Sequence, residues 1–146
     1  MLMLVLAAAA SARPAGSETI TTTLLFPTFP SSAPFVGTYS GTFSASGTTS
    51  DTGTVTAQTL FGAVPSPVIG VLQTIRTLSG SNGTLTLRCN QRTFPPNQST
   101  TVVSNTGSCA VLDATGAYAG LRGSGSLTGT TDFGATPLTV HDVLVL

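Results

Sequence analysis

The sequence predicts an all-β fold, an antiparallel up-and-down barrel of about eight short strands. Three observations predict it. Apolar and polar residues alternate with a period of two along most of the chain beyond Phe35. No window holds a helical period, and 16 Gly with 27 Thr in 146 residues penalise a helix at nearly every turn. Turn signals part the alternating runs at meander-like spacing, which suits a barrel or a sandwich.

Taken in order, residues 1–12, MLMLVLAAAASA, form an apolar run that ends small-x-small and reads as a signal peptide, although a positive n-region is absent. Twelve residues are too few to span ~30 Å of hydrocarbon, so no membrane span is expected in the mature chain. Residues 13–34 read as a polar, Pro-rich tether. Within it TITTTLLF, residues 19–26, alternates well enough to be a first strand, while PTFPSSAP, residues 27–34, carries three prolines and cannot lie inside a sheet. The barrel domain is therefore expected at residues 35–146.

FVGTYSGTF, residues 35–43, sends Phe35, Gly37, Tyr39, Gly41 and Phe43 to one face. Large and small residues alternating on an inner face suit a closed barrel. Strands follow at 52–59 and 69–78, parted by the two prolines of FGAVPSP; Asn82-Gly83 then marks a turn. The next strand, 84–89, turns Leu85, Leu87 and Cys89 one way; a loop is expected at 90–99 and a returning strand at 100–112. Strands at 121–132 and 138–146 complete the set. The repeated Gly-Thr/Ser phrases are unevenly spaced, so a solenoid is excluded.

Only 7% of residues are charged, and five Arg balance four Asp and one Glu with no Lys. Hydroxyls hydrate the surface instead, as in exported β proteins. A neutral chain without a basic cluster gains no counterion-release energy from nucleic acid, and it offers no polybasic face to an anionic membrane. Cys89 and Cys109 suit one disulfide in an oxidising compartment, stapling neighbouring strands. Secretion is the expected localisation, and composition leaves the oligomeric state open.

DATGAYAGLRGSGS, residues 113–126, packs its glycines where a phosphate loop could be imagined. Such a loop needs a helix N-terminus, and here another alternating strand follows. Gly116, Gly120 and Gly123 are therefore read as corner residues with positive φ, Tyr118 as the plug of a barrel end, and Asp113 as the cap of the turn. ATGAYAGLRGSGSLTGT, residues 114–130, resembles the late signature of the allene oxide cyclase and dirigent barrel superfamily, and GTYSGTF is similar to the opening of its small exported bacterial members. The resemblance implies an eight-stranded barrel whose lumen either holds an apolar molecule or templates a ring closure or radical coupling. The acidic lumen residue of cyclase members has no matched counterpart, since the only Glu is Glu18, ahead of the Pro-rich stretch.

One His and two paired Cys cannot assemble a metal site, no Gly-x-Ser-x-Gly is present, and no cofactor is expected. His141 and Asp142 point to opposite faces of a strand. If Asp142 shares a face with Val140 and Leu144, apolar surroundings favour its protonated form and suit it to act as an acid. Arg76 and Gln73 lie on opposite faces, and either could put one polar group in the lumen. Tyr39 and Asp142 are thus the catalytic candidates. Phe35, Tyr39, Phe43, Val55, Leu85, Leu87, Leu121 and Leu127 are the candidates to line a lumen for a small apolar ligand. The expected function is that of an exported barrel binding such a molecule. The alternatives are a cyclase or isomerase, and a structural secreted domain with a filled barrel. An enzyme is disfavoured, because no convergent set of titratable groups is visible.

Overall fold

A computed structural model describes residues 18–26, 34–43, 49–66, 69–94 and 101–146. Eight antiparallel strands follow one another around a closed barrel: β1 Glu18–Phe26, β2 Phe35–Phe43, β3 Thr49–Ser66, β4 Ile69–Gly80, β5 Gly83–Phe94, β6 Val102–Ala114, β7 Ser124–Asp132 and β8 Leu138–Val145. Each strand pairs with its sequence neighbours, and β1 closes on β8 with Thr22 opposite Asp142. At that closure the backbone of Glu18 exchanges hydrogen bonds with Leu146, N–H to O at 3.1 and 2.9 Å. Among the described residues the closure leaves no sheet edge for another chain to template.

Alternation sets the inside and the outside. On β1, Glu18, Ile20, Thr22, Leu24 and Phe26 are buried, while every residue between them is more exposed. The interior carries one apolar cluster, in which Phe26 and Phe35 stack with ring centroids 3.6 Å apart. Burying such aliphatic and aromatic side chains supplies roughly 1.5–3 kcal/mol each before conformational entropy is subtracted.

Three boundaries differ from the sequence reading. The barrel starts at Glu18 rather than Phe35, because β1 lies within the expected tether and the prolines of 27–34 fall between two paired strands instead of ahead of the domain. β3 does not stop at the prolines: it runs through Pro65 to Ser66, with register irregularities between Thr59 and Phe61 and between Ala63 and Ser66, which is how a ladder accommodates a residue that cannot donate. β5 continues through the expected loop to Phe94, because Gln91 and Thr93 keep the inward parity of Leu85 and Leu87. The expected signal peptide, residues 1–12, lies outside the described residues, as does the side chain of Phe43.

The corner after β6 is a single 3-10 turn, Gly116–Tyr118, and Gly116, Gly120 and Gly123 all have positive φ. Asp113 is not its cap: it stands exposed on β6 opposite Thr86, and Thr115 makes the local bond, its Oγ1 accepting from the Thr84 N–H at 3.0 Å. The corner delivers Tyr118 into one end of the barrel, where it is fully buried. Cys89 and Cys109 stand directly opposite each other on β5 and β6 and form a disulfide within the core.

Candidate functional site, the polar interior

Two groups of polar side chains occupy the barrel interior. The first is centred on Arg76, which shares its inward face of β4 with Leu78 and Thr74. Its Nη2 lies 2.7 Å from Asp142 Oδ2 of β8, both side chains 0% exposed, in an ion pair without the alignment of a hydrogen bond. Arg76 also donates from Nε to Thr74 Oγ1 at 3.3 Å, from Nη1 to Thr22 Oγ1 at 3.3 Å and from Nη2 to Gln91 Oε1 at 2.9 Å. The other oxygen of Asp142 accepts from Asn105 Nδ2 at 3.2 Å. Asn105 in turn donates to Thr131 at 2.9 Å and accepts from Thr131 and Thr93 at 3.0 and 3.2 Å. Gly129 makes the space, since a Cβ there would collide with Asp142 Oδ1 and the His141 carbonyl.

The second group closes the end beneath Tyr118. Asp51 Oδ2 accepts from the Tyr39 hydroxyl at 2.8 Å and from the Tyr118 hydroxyl at 2.6 Å, while its Oδ1 accepts from the Thr52 N–H at 2.9 Å. A side chain at Gly80 would strike the Tyr39 hydroxyl and both Asp51 oxygens, so glycine is what lets them meet. Burial pushes both phenols above their ordinary value. The hydrogen bond to Asp51 adds to the rise at Tyr118 and, offset partly by the bond from Tyr118, at Tyr39.

These contacts limit the chemistry available. Asp142 does not sit in a plain apolar lining beside Val140 and Leu144: both of its oxygens are engaged, one by a guanidinium. The Tyr39 hydroxyl is committed as a hydrogen-bond donor to Asp51, and the two candidate catalytic residues belong to separate networks. Among the described residues no group of three or more His, Cys, Asp or Glu could hold a metal ion. Of the expected lumen residues, Phe35, Tyr39, Val55, Leu85, Leu87, Leu121 and Leu127 all join the one buried cluster. His141 faces outward with Nδ1 3.0 Å from Thr23 Oγ1, and Gln73 also faces outward.

Sequence reasoning missed Asp51, Gln91, Asn105, Thr22, Thr74 and Thr131 as interior groups, and it set Glu18 outside the barrel although it is fully buried on β1. The signal was parity. Asp51 has the parity of Val55 and Ala57, Gln91 that of Leu85, Leu87 and Cys89, and Asn105 that of Val103 and Cys109. Compared with models of known protein families, with curated proteins and with solved structures, the chain matches none.

Proposed function

We propose that this chain is an exported, non-catalytic barrel domain whose interior is a structural core and whose outside is left free for binding. One observation carries this reading: through the middle of the barrel the interior-facing side chains, apolar and polar alike, keep almost no accessible surface, from 0% at Leu85, Leu87 and Arg76 to 5% at Thr131, and only residues nearer the strand ends, such as Leu72, Thr93 and Leu138, are partly exposed. A side chain facing a void large enough for a ligand keeps accessible area on that face. Within the Arg76 group, and separately within the Asp51 group, the side chains partner one another, which is what a buried polar network needs when it stands alone. A core disulfide and a leading apolar segment that reads as a signal peptide support an oxidising, extracellular setting.

Native mass spectrometry tests it. The oxidised protein, incubated with an organic-phase extract of its host, which carries apolar molecules and leaves water-soluble sugars behind, is expected to retain its bare mass. A discrete added mass that survives desalting and is released on unfolding would mean that the lumen is a site.

A second reading is favoured by a specific observation. Glu18, Asp51 and Asp142, three of the five acidic residues, lie inside the barrel with Arg76. Buried charge is often no more stabilising than an apolar filling, and such groups collect at functional sites. The resemblance to the allene oxide cyclase and dirigent superfamily fits a cyclase or isomerase of this kind, with Arg76 and Asp142 turned toward a substrate. On that reading the added mass appears, and it disappears in the Arg76→Met/Asp142→Leu variant while the fold remains.

A further inference from the structure

The outer face of the barrel carries a cleft of about 340 Å3 across β4, β5 and β6. It is lined by Val71, Gln73, Asn90, Arg92, Thr106 and Ser108, with the inward-facing positions Gln91 and Gly107 between them. The register explains the grouping: Asn90 lies between Gln73 and Ser108, and Arg92 stands opposite Thr106. Gly107 draws the two strands together, because a Cβ there would run into the Asn90 carbonyl. The volume falls at the small end of ligand clefts, which run from about 300 to 1,000 Å3.

The lining has a definite chemistry. Two carboxamides and two hydroxyls each both donate and accept, which matches the hydroxyls of a polyol. Arg92 adds a planar fork that fits a carboxylate with two parallel bonds. No acidic residue lines the cleft. The interior has taken Glu18, Asp51 and Asp142 off the surface, which leaves Asp113 and Asp132 outside among the described residues. Asp113 stands opposite Thr86, six residues along β5 from Arg92 and so ~20 Å away. Asp132 is tied to the turn that follows it, accepting from the Gly134 N–H at 2.8 Å. Arg88 points outward on the same face, four residues and ~13 Å from Arg92.

We infer that this cleft binds a carboxylate-bearing sugar, a uronate, with Arg92 on the carboxylate and Asn90, Gln73, Thr106 and Ser108 on the hydroxyls. An oligomer laid along β5 also reaches Arg88, so affinity rises with chain length. The inference deepens the reading of the barrel as an outward-facing binding domain. It fails separately from it, because an empty cleft does not alter the mass spectrum and a filled lumen does not close the cleft.

The test is a titration of the isotope-labelled, oxidised protein with oligogalacturonate, followed through its backbone amide signals. Neutral oligosaccharide of equal length and inorganic phosphate are titrated in parallel. Saturable shifts are expected at Gln73, Asn90, Arg92 and Thr106 with the uronate alone. Arg92→Ala, at an exposed position that leaves the core untouched, weakens binding by about tenfold or more, and Arg92→Lys fails to restore it because the fork is lost. Arg88→Ala weakens the oligomer while leaving the single uronate unchanged. Absence of saturable shifts, equal response to the neutral sugar, response to phosphate without response to the uronate, or an unaffected Arg92→Ala variant each overturns the inference.

Discussion

Replacing Asp142 by leucine leaves the Arg76 guanidinium buried among hydroxyls and amides with no countercharge. The cost expected is about 3–5 kcal/mol, whereas Arg76→Met together with Asp142→Leu removes both charges and is expected to come within about 1 kcal/mol of the parent or to exceed it. Urea unfolding of the three proteins measures this. A double variant no more stable than the single one refutes the core reading of the pair. The tyrosines give a second handle at this scale, since the chain has two and no tryptophan, and both bond Asp51. Their folded-state values lie above the unfolded value of about 10. The stabilisation they contribute is therefore complete below pH ~10 and is lost as pH climbs past it toward the folded values, because the unfolded chain sheds its phenolic protons first. On alkaline titration the ultraviolet phenolate band should rise together with the loss of β circular dichroism. A phenolate signal that rises while the barrel stays folded would contradict the sealed end.

At the level of strands, the Cys89–Cys109 bond spans the β5–β6 connection, a separation of 20 residues. Cys89→Ala/Cys109→Ala is expected to lose about 3 kcal/mol, read as a lower urea midpoint that added reductant no longer shifts. That bond was legible in the sequence, and so were the glycine corner, the plugging role of Tyr118 and the inward face of every strand whose apolar residues alternate cleanly. The errors share one cause. Prolines and polar residues were read as the ends of strands, although a Pro can ride on a bulge, as at Pro65, and Gln91 can face a polar interior. The interior network was illegible for the same reason. Alternation tells which residues share a face, but the usual expectation that polar means outside concealed Asp51, Asn105 and Thr131 until the register of all eight strands was in place. The outer cleft is harder still to read, because Gln73, Asn90 and Ser108 come from three strands and meet only through pairing.

For the molecule as a whole, seven of the eight pairings join strands adjacent in sequence, and the eighth, β1 with β8, joins the two ends. Glu18 and Leu146 already hold each other through a pair of backbone hydrogen bonds. In the unfolded chain that seam is the contact with the largest entropy to overcome, so it sets a penalty that the hairpins do not carry. A covalent ring, formed by ligating Leu146 to Glu18 through a few flexible residues, turns the seam into one more hairpin. Cyclised protein should fold faster and unfold at higher urea than the linear chain, by an amount on the order of 5 kcal/mol, as expected for tying off a loop of more than a hundred residues. The barrel would then have no first or last strand, and every hairpin would be an equivalent place to begin folding.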